Sequence, residues 1–256
     1  MIKFYLGLYA CLRNRHVTIL IHYLFGATFL VSCSGQYYDP QKIVDKTISI
    51  YGGEKYLHSI IEFDFRDRHY IIKREGGIFS KERIYKDSIH DFLTNSSFIR
   101  KIKGQAVLVP DSMAGKYTNS INSVFYFALL PYGLNDPSVN KKFLGTTTLD
   151  GQPYYKIEIT FGEGAGEGHR DTFYHWIHQK SFTLDYMAYF YEEDEIWDIR
   201  FRKAMNQRNV NGIVFQDYIN YKPKTAGSKF EDIETFFTSG HLEELSRIEL
   251  KNISVQ

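Results

Sequence analysis

Cysteine is almost missing from this chain. Cys11 and Cys33 are the two in 256 residues, and none follows position 33. That excludes a disulfide framework and any thiol chemistry for the bulk of the chain. Charge of one sign is missing too: the formal net charge is +1 with 24% charged residues. The electrostatic footprint that nucleic acid requires is therefore absent. No His-Glu-x-x-His and no paired Cys/His spacing occurs, so neither a metal nor a cofactor is predicted. There is no internal repeat, no low-complexity tract and no long polar linker. Aromatic residues are plentiful, with twenty Tyr and twenty Phe. They favour strands and line sites for apolar ligands.

The longest apolar run lies near the beginning. Arg13 and Arg15 precede "VTILIHYLFGATFLV" at 17–31, a stretch in the range of a signal-peptide core and short for a bilayer span. His22 and Gly26 weaken the span reading further. Leu30-Val31-Ser32-Cys33 follows and resembles the bacterial lipobox, in which small residues let the scissile backbone fit the peptidase. The cysteine is the acylated nucleophile. "SGQYYDP" then reads as a flexible tether. Residues 1–32 are accordingly expected to be a lipoprotein-type signal, 33–39 a tether lipidated at Cys33, and 40–256 one domain. Leu8-Tyr9-Ala10-Cys11 matches the same pattern after too short an apolar stretch. Ser34, not Asp, follows the lipidation site. By the enterobacterial sorting rule this predicts the outer membrane, with the domain facing the periplasm. An uncleaved anchor, or a buried strand ending at a free cysteine, is the alternative.

Downstream, "DPQKIVDKTISIYGG" predicts an amphipathic helix. Strands follow, punctuated by turns at Gly76-Gly77, Lys103-Gly104, Asp150-Gly151, Gln179-Lys180-Ser181 and Asn211-Gly212. "EFDFRDRHYIIKR" reads as one strand of this series, and Tyr155 to Phe161 shows the clearest alternation in the chain. "DSMAGKYTNSINSVFYFALLPYGL" predicts a helix capped at Asp111 or Ser112 and stopped by Pro131. Ser228 and Glu231 predict a capping box before "DIETFF", and "SRIELKNISV" reads as a single closing strand. The fold class is mainly β (α+β): an unclosed antiparallel half-barrel with helices covering its concave side.

"FDFRDRHY", "VFYFALLPYGLNDP", "YYKIEITF", "WIHQKSFTLDYMAYFY" and "VNGIVFQDYINY" resemble a family of uncharacterised lipoproteins from the Bacteroidota, over essentially the whole chain after Cys33. The order of elements is also similar to the LolA/LolB lipoprotein-carrier fold. That resemblance implies an unclosed antiparallel barrel whose concave side, covered by helices, holds acyl chains. It is an analogy of fold, with no activity attached.

Three groups of residues carry candidate chemistry. His169, His175 and His178 are close in sequence, but residues three apart on a strand face opposite ways, so no shared metal is predicted. In "EFDFRDRHYII", Phe63, Phe65, Asp67 and His69 fall on one strand face. Asp67 orienting His69 as an acid/base pair is one reading; a satisfied structural pair or a strand end in water is the other. Arg200 and Arg202 share a face and, with Arg208, offer contacts to an anionic head group, unless they pair with Glu192 or Asp217.

The strongest ligand signal is the all-round apolar run Val124 to Leu130, which must be buried on several sides, roof a cavity or touch lipid. Phe63, Phe65, Ile157, Ile159 and Phe161 are expected to line an apolar wall, faced by Tyr117, Ile121 and Phe125 of the helix. The function this predicts is a lipid-anchored cell-envelope protein that binds a hydrophobic small molecule or acyl chain, as carrier, chaperone or sensor. The alternatives are an envelope hydrolase or lyase using Asp67 and His69, and a non-catalytic partner of an envelope complex. The sequence names no protein partner.

Overall fold

Two meanders of antiparallel strands account for the architecture. In the computed structural model, which describes residues 38–162, 171–193 and 196–256, the first sheet has seven strands. These are β1 (Ile60–Phe65), β2 (Arg68–Glu75), β3 (Ile78–Tyr85), β4 (Ile89–Thr94), β5 (Phe98–Ile102) and β6 (Gln105–Val107), with β14 (Leu250–Val255) beside β1. The second sheet runs in sequence order through β7 (Val139–Leu149), β8 (Gln152–Phe161), β9 (Thr172–His178), β10 (Leu184–Glu193), β11 (Ile196–Val210), β12 (Ile213–Pro223) and β13 (Leu242–Ile248). Neither sheet closes into a barrel. Cys33, where lipidation is expected, and the signal expected at 1–32 lie outside the described residues, as do His169 and residues 33–37 of the tether.

Local chemistry explains the hairpins. Lys103-Gly104, Asp150-Gly151 and Asn211-Gly212 all have positive φ at both turn positions, the geometry whose twist matches antiparallel strands. "EFDFRDRHYIIKR" is two strands and not one. Arg66 takes φ 57° and the chain reverses at Arg66-Asp67, pairing Phe65 with Arg68 and Asp64 with His69. The closing segment is also two strands. β13 ends the second sheet at Ile248, and after Glu249 the chain joins the first sheet as β14.

Among the described residues, three α-helices complete the fold. In α1 (Pro40–Tyr51) the Asp39 side chain caps the amide of Gln41 at 2.9 Å, and Ile43, Val44, Thr47 and Tyr51 are buried. Helix α2 (Asp111–Ala128) lies between the sheets. Phe125 packs against Phe63 and Tyr70 of the first sheet, while Tyr126 and Phe127 pack against Phe173 of the second. The main core is built from both sheets, α1 and α2. Helix α3 (Ile233–Thr238) packs on the other face of the second sheet, over Tyr174, Trp176, Tyr186 and Phe201. The helices are therefore not confined to the inner side. Glu234 fixes α3 there, accepting from Trp176 Nε1 at 3.0 Å and pairing with Lys156 at 3.1 Å. The expected capping box does not form: Ser228 Oγ donates to the carbonyl of Thr225, and a 3₁₀ turn at Phe230–Asp232 leads into the helix without a side-chain cap.

Candidate functional site

The first half of α2 is held to the first sheet by a buried ionic cluster. Arg83 Nη2 lies 2.6 Å from Asp91 Oδ2, Arg100 Nε lies 2.6 Å from Asp91 Oδ1, and Arg83 Nη1 donates to Ser120 Oγ on the helix at 3.0 Å. Burial opposes ionisation of Asp91. Hydrogen bonds from Arg100 and Arg83 outweigh it and hold the carboxyl below its ordinary value. Arg100 also stacks on Tyr117, 3.6 Å from the ring centroid. These anchors set where the second half of the helix reaches the second sheet.

At that point a cavity of about 280 Å³ opens between Val124, Phe127 and Ala128 of α2, Phe65 and Leu250 of the first sheet, and the inner face of β10 to β13. Arg66 and Ser123 are its exposed rim, while Arg202, Gln216, Tyr218 and Asn220 are its buried wall. Strand register brings the wall together, since Arg202 pairs with Asn220 and Asn220 with Ser246 across β11, β12 and β13. Directly opposed residues share a face.

A hydrogen-bond chain fixes that wall. Tyr51 at the end of α1 donates to Gln216 Oε1 at 2.8 Å; Gln216 Nε2 donates to the Leu184 carbonyl at 2.9 Å and to the Tyr218 hydroxyl at 2.7 Å. Burial pushes the Tyr218 hydroxyl up to about 12, so it remains a protonated donor at neutral pH. Arg202 is 7% exposed. Its Nη2 donates to Tyr189 Oη at 2.7 Å, and its guanidinium lies 4.0 Å from the centroid of Phe127 and 4.9 Å from that of Tyr189. Its Nε and Nη1 are buried without a hydrogen-bond partner among the described residues, as is Asn220 Oδ1.

A second depression, of about 620 Å³, lies along the other side of α2, lined by Arg74, Lys81, Phe125, Tyr126 and Phe161. Lys81 donates to Asn122 at 2.6 Å, Arg74 stacks 4.4 Å from the Tyr132 centroid with its Nη1 unpartnered among the described residues, and the carboxylate of Asp136 shares the lining. Desolvation, with Arg74 close by, lowers Lys81 to about 8.

The residues singled out in the sequence are distributed unevenly. Phe65 and Arg202 line the first cavity, while Phe125 and Phe161 line the second depression. Phe63, Ile121, Ile157 and Ile159 are buried core side chains lining neither, and Tyr117 serves the Arg100 stack. Arg200 pairs with Asp198 at 2.5 Å, and Arg208 with Asp217 at 3.0 Å.

Asp67 does not orient His69. It sits in the β1–β2 turn, 3.8 Å from the Arg68 guanidinium. His69 Nδ1 bonds to Asp64 at 2.7 Å, and its Nε2 lies 3.8 Å from Glu62. The turn shifts the phase of β2, so His69 joins the face away from Phe63 and Phe65. Carboxylates flank both ring nitrogens, which leaves neither directed at a nucleophile. His175 and His178 do face opposite ways, and His175 is buried: it is 1% exposed and neither ring nitrogen has a partner among the described residues. Gln216, Tyr218 and Asn220 escaped the sequence reading. Their signal was the period-two alternation in "FQDYIN", which puts all three on the face that Arg202 shares.

The sequence matches the family of unknown function DUF6503 over residues 20–250. The chain belongs to that family. No curated protein matches the sequence. Among solved structures, this DUF6503 chain is similar to a DUF1329 family protein from Desulfovibrio piger, with 8% identity and a TM-score of 0.44 over 85% of this chain and 93% of that one. It is also similar to a LolA superfamily protein from Nitrosomonas europaea, with 11% identity and a TM-score of 0.45 over 86% and 92%. Among the described residues, no helix is long and apolar enough to cross a membrane, and no three His, Cys, Asp or Glu side chains converge on a point that could hold a metal ion.

Proposed function

We propose that this protein is a lipid-anchored component of the bacterial cell envelope. It takes a hydrophobic or amphiphilic ligand into the cavity under α2, as carrier, chaperone or sensor and without bond-making chemistry. The observation that carries the reading is the cavity itself. It has an apolar roof from Val124, Phe127 and Ala128, and a wall whose buried polar groups converge from three neighbouring strands. Apolar pockets with a few convergent polar groups are the usual form of small-molecule sites. At about 280 Å³ the cavity lies at the small end of the roughly 300–1,000 Å³ of ordinary ligand pockets. A single short chain, or the end of a longer one, fits; a complete diacyl lipid does not. Lipidation of Cys33 would hold the domain beside a membrane that supplies such molecules, at the periplasmic face of the outer membrane.

The hydrolase alternative loses its premise, because Asp67 and His69 are not partners. The partner-protein alternative keeps one supporting observation: Ile99, Ile102, Val107 and Leu108 are exposed near the free edge of the first sheet, Leu108 almost completely.

Native mass spectrometry of the full chain in detergent-free buffer tests the leading reading. The expected spectrum contains a small-molecule adduct, or gains one of the mass of decanol when decanol is added. Folded protein that shows neither would end the ligand-binding proposal and favour the partner reading.

A further inference from the structure

The wall of the cavity is chemically one-sided. Its lining includes two arginines, Arg66 at the rim and Arg202 within, and no carboxylate. Asp217 follows Gln216 in the chain and is not part of the lining; its carboxylate accepts from the Leu250 amide at 3.0 Å and from Arg208. Arg202 thus keeps a guanidinium out of water with one neutral acceptor, Tyr189, and aromatic faces around it. Two of its donor nitrogens have no acceptor among the described residues. Burying a cation this way is costly unless a negative group completes its hydrogen bonds. The aromatic faces recover part of that cost, but they supply no acceptor for Nε and Nη1.

Tyr218 adds a second donor. Its hydroxyl oxygen accepts from Gln216 Nε2, so its proton is left to point elsewhere. Donors from two strands therefore converge beneath an apolar roof, and the rim carries a further positive charge.

Resting on the ligand-binding role proposed above, we infer that the cavity selects a single-chain amphiphile with a carboxylate head, which Arg202 and Tyr218 bind while the chain lies against Val124, Phe127 and Ala128. Arg66 at the rim favours entry of the negative head over a positive one. The cavity is small, about 280 Å³, so short ten-carbon compounds are the probes used.

A head-group series on the unmodified full chain tests this without depending on any variant. Decanoate, decanol and decyltrimethylammonium are titrated below their micellar concentrations by isothermal calorimetry. Decanoate is expected to bind at least tenfold tighter than decanol, and the cation more weakly than either. Equal binding of decanoate and decanol, or preference for the cation, overturns the head-group assignment and leaves the cavity reading standing. Binding of none of the three overturns both.

Arg202→Met adds a residue-level test. It should bring decanoate down to the affinity of decanol while decanol itself changes less than about threefold. A folded Arg202→Met protein that keeps the preference for decanoate contradicts the role of Arg202. Should Arg202→Met fail to fold, Tyr218→Phe supplies the comparison, with a smaller but still selective loss for decanoate.

Discussion

The guanidinium carbon of Arg202 lies over the ring of Phe127, 4.0 Å from its centroid. One residue belongs to the long strand β11 and the other to the last turn of α2. The buried cation of the sheet wall and the apolar roof of the cavity are therefore joined by a cation–π contact, of a type that contributes about 2 kcal/mol when desolvated. Movement of the end of α2 would change both the volume of the cavity and the surroundings of its charge.

Filling the cavity separates ligand uptake from folding. Ala128 lines it and is only partly buried, so Ala128→Phe can occupy the space without displacing the Phe63–Phe125 core. Uptake of a fluorescent ten-carbon acid is expected to fall at least tenfold, with Tm within about 4 °C of the parent, the shift that about 1 kcal/mol produces in a domain of this size. Fluorescence titration beside thermal melting checks both parts.

The Asp91 cluster is predicted to be essential for stability. Asp91→Ala leaves Arg83, 4% exposed, buried without its carboxylate, a change that costs about 3–5 kcal/mol. Urea unfolding reads the loss directly. Because the carboxyl is held below its ordinary value in the fold, the unfolded chain takes up the proton first as pH falls. The parent protein should therefore lose stability as pH drops through the carboxylate range, and this part of the loss should be missing from Asp91→Ala.

Turns with a chemical signature were legible, and the mainly β, antiparallel character of the fold followed from them. Asp150-Gly151 and Asn211-Gly212 each combine a residue tolerant of the left-handed region with glycine. The turn at Arg66-Asp67 has no such signature, because its positive φ falls on an arginine. Reading through it placed His69 on the wrong face and created a false partnership with Asp67. The break at Glu249 was hidden for a similar reason, as neither glycine nor proline marks the passage from one sheet to the other. Arg202 was recognised as a candidate anion contact from its own strand alone. The surroundings that distinguish it from Arg200 come from β10, β12 and α2, and no local periodicity reports contacts so far apart in the chain.

His175 should be an acid-sensitive position. Burial lowers its imidazole to about 3, against an ordinary value near 6.5, so between those limits the unfolded chain binds the extra proton. Stability attributable to this residue is complete above about pH 6.5 and declines as pH falls toward 3. His175→Leu removes a buried polar ring without partners and should raise Tm by about 2–4 °C near neutrality, for a gain of about 1 kcal/mol. Its advantage over the parent should widen steadily at pH 5 and pH 4. A constant difference across that range would mean that the ring is protonated or solvated in the folded protein.

The anchor has its own test. Cys33→Ala is expected to abolish incorporation of radiolabelled palmitate in cells and to leave an unprocessed precursor on a denaturing gel. Labelling that persists in this variant would locate the lipid elsewhere or remove it from the account.

The most direct measurement is a crystal structure with 10-bromodecanoate bound, collected at the bromine absorption edge. The account predicts the carboxylate within hydrogen-bond distance of Arg202, and a bromine peak in or at the rim of the space bounded by Val124, Phe127 and Ala128. Full occupancy of the compound at the second depression, at the exposed edge of the first sheet, or anywhere else outside this cavity would contradict it.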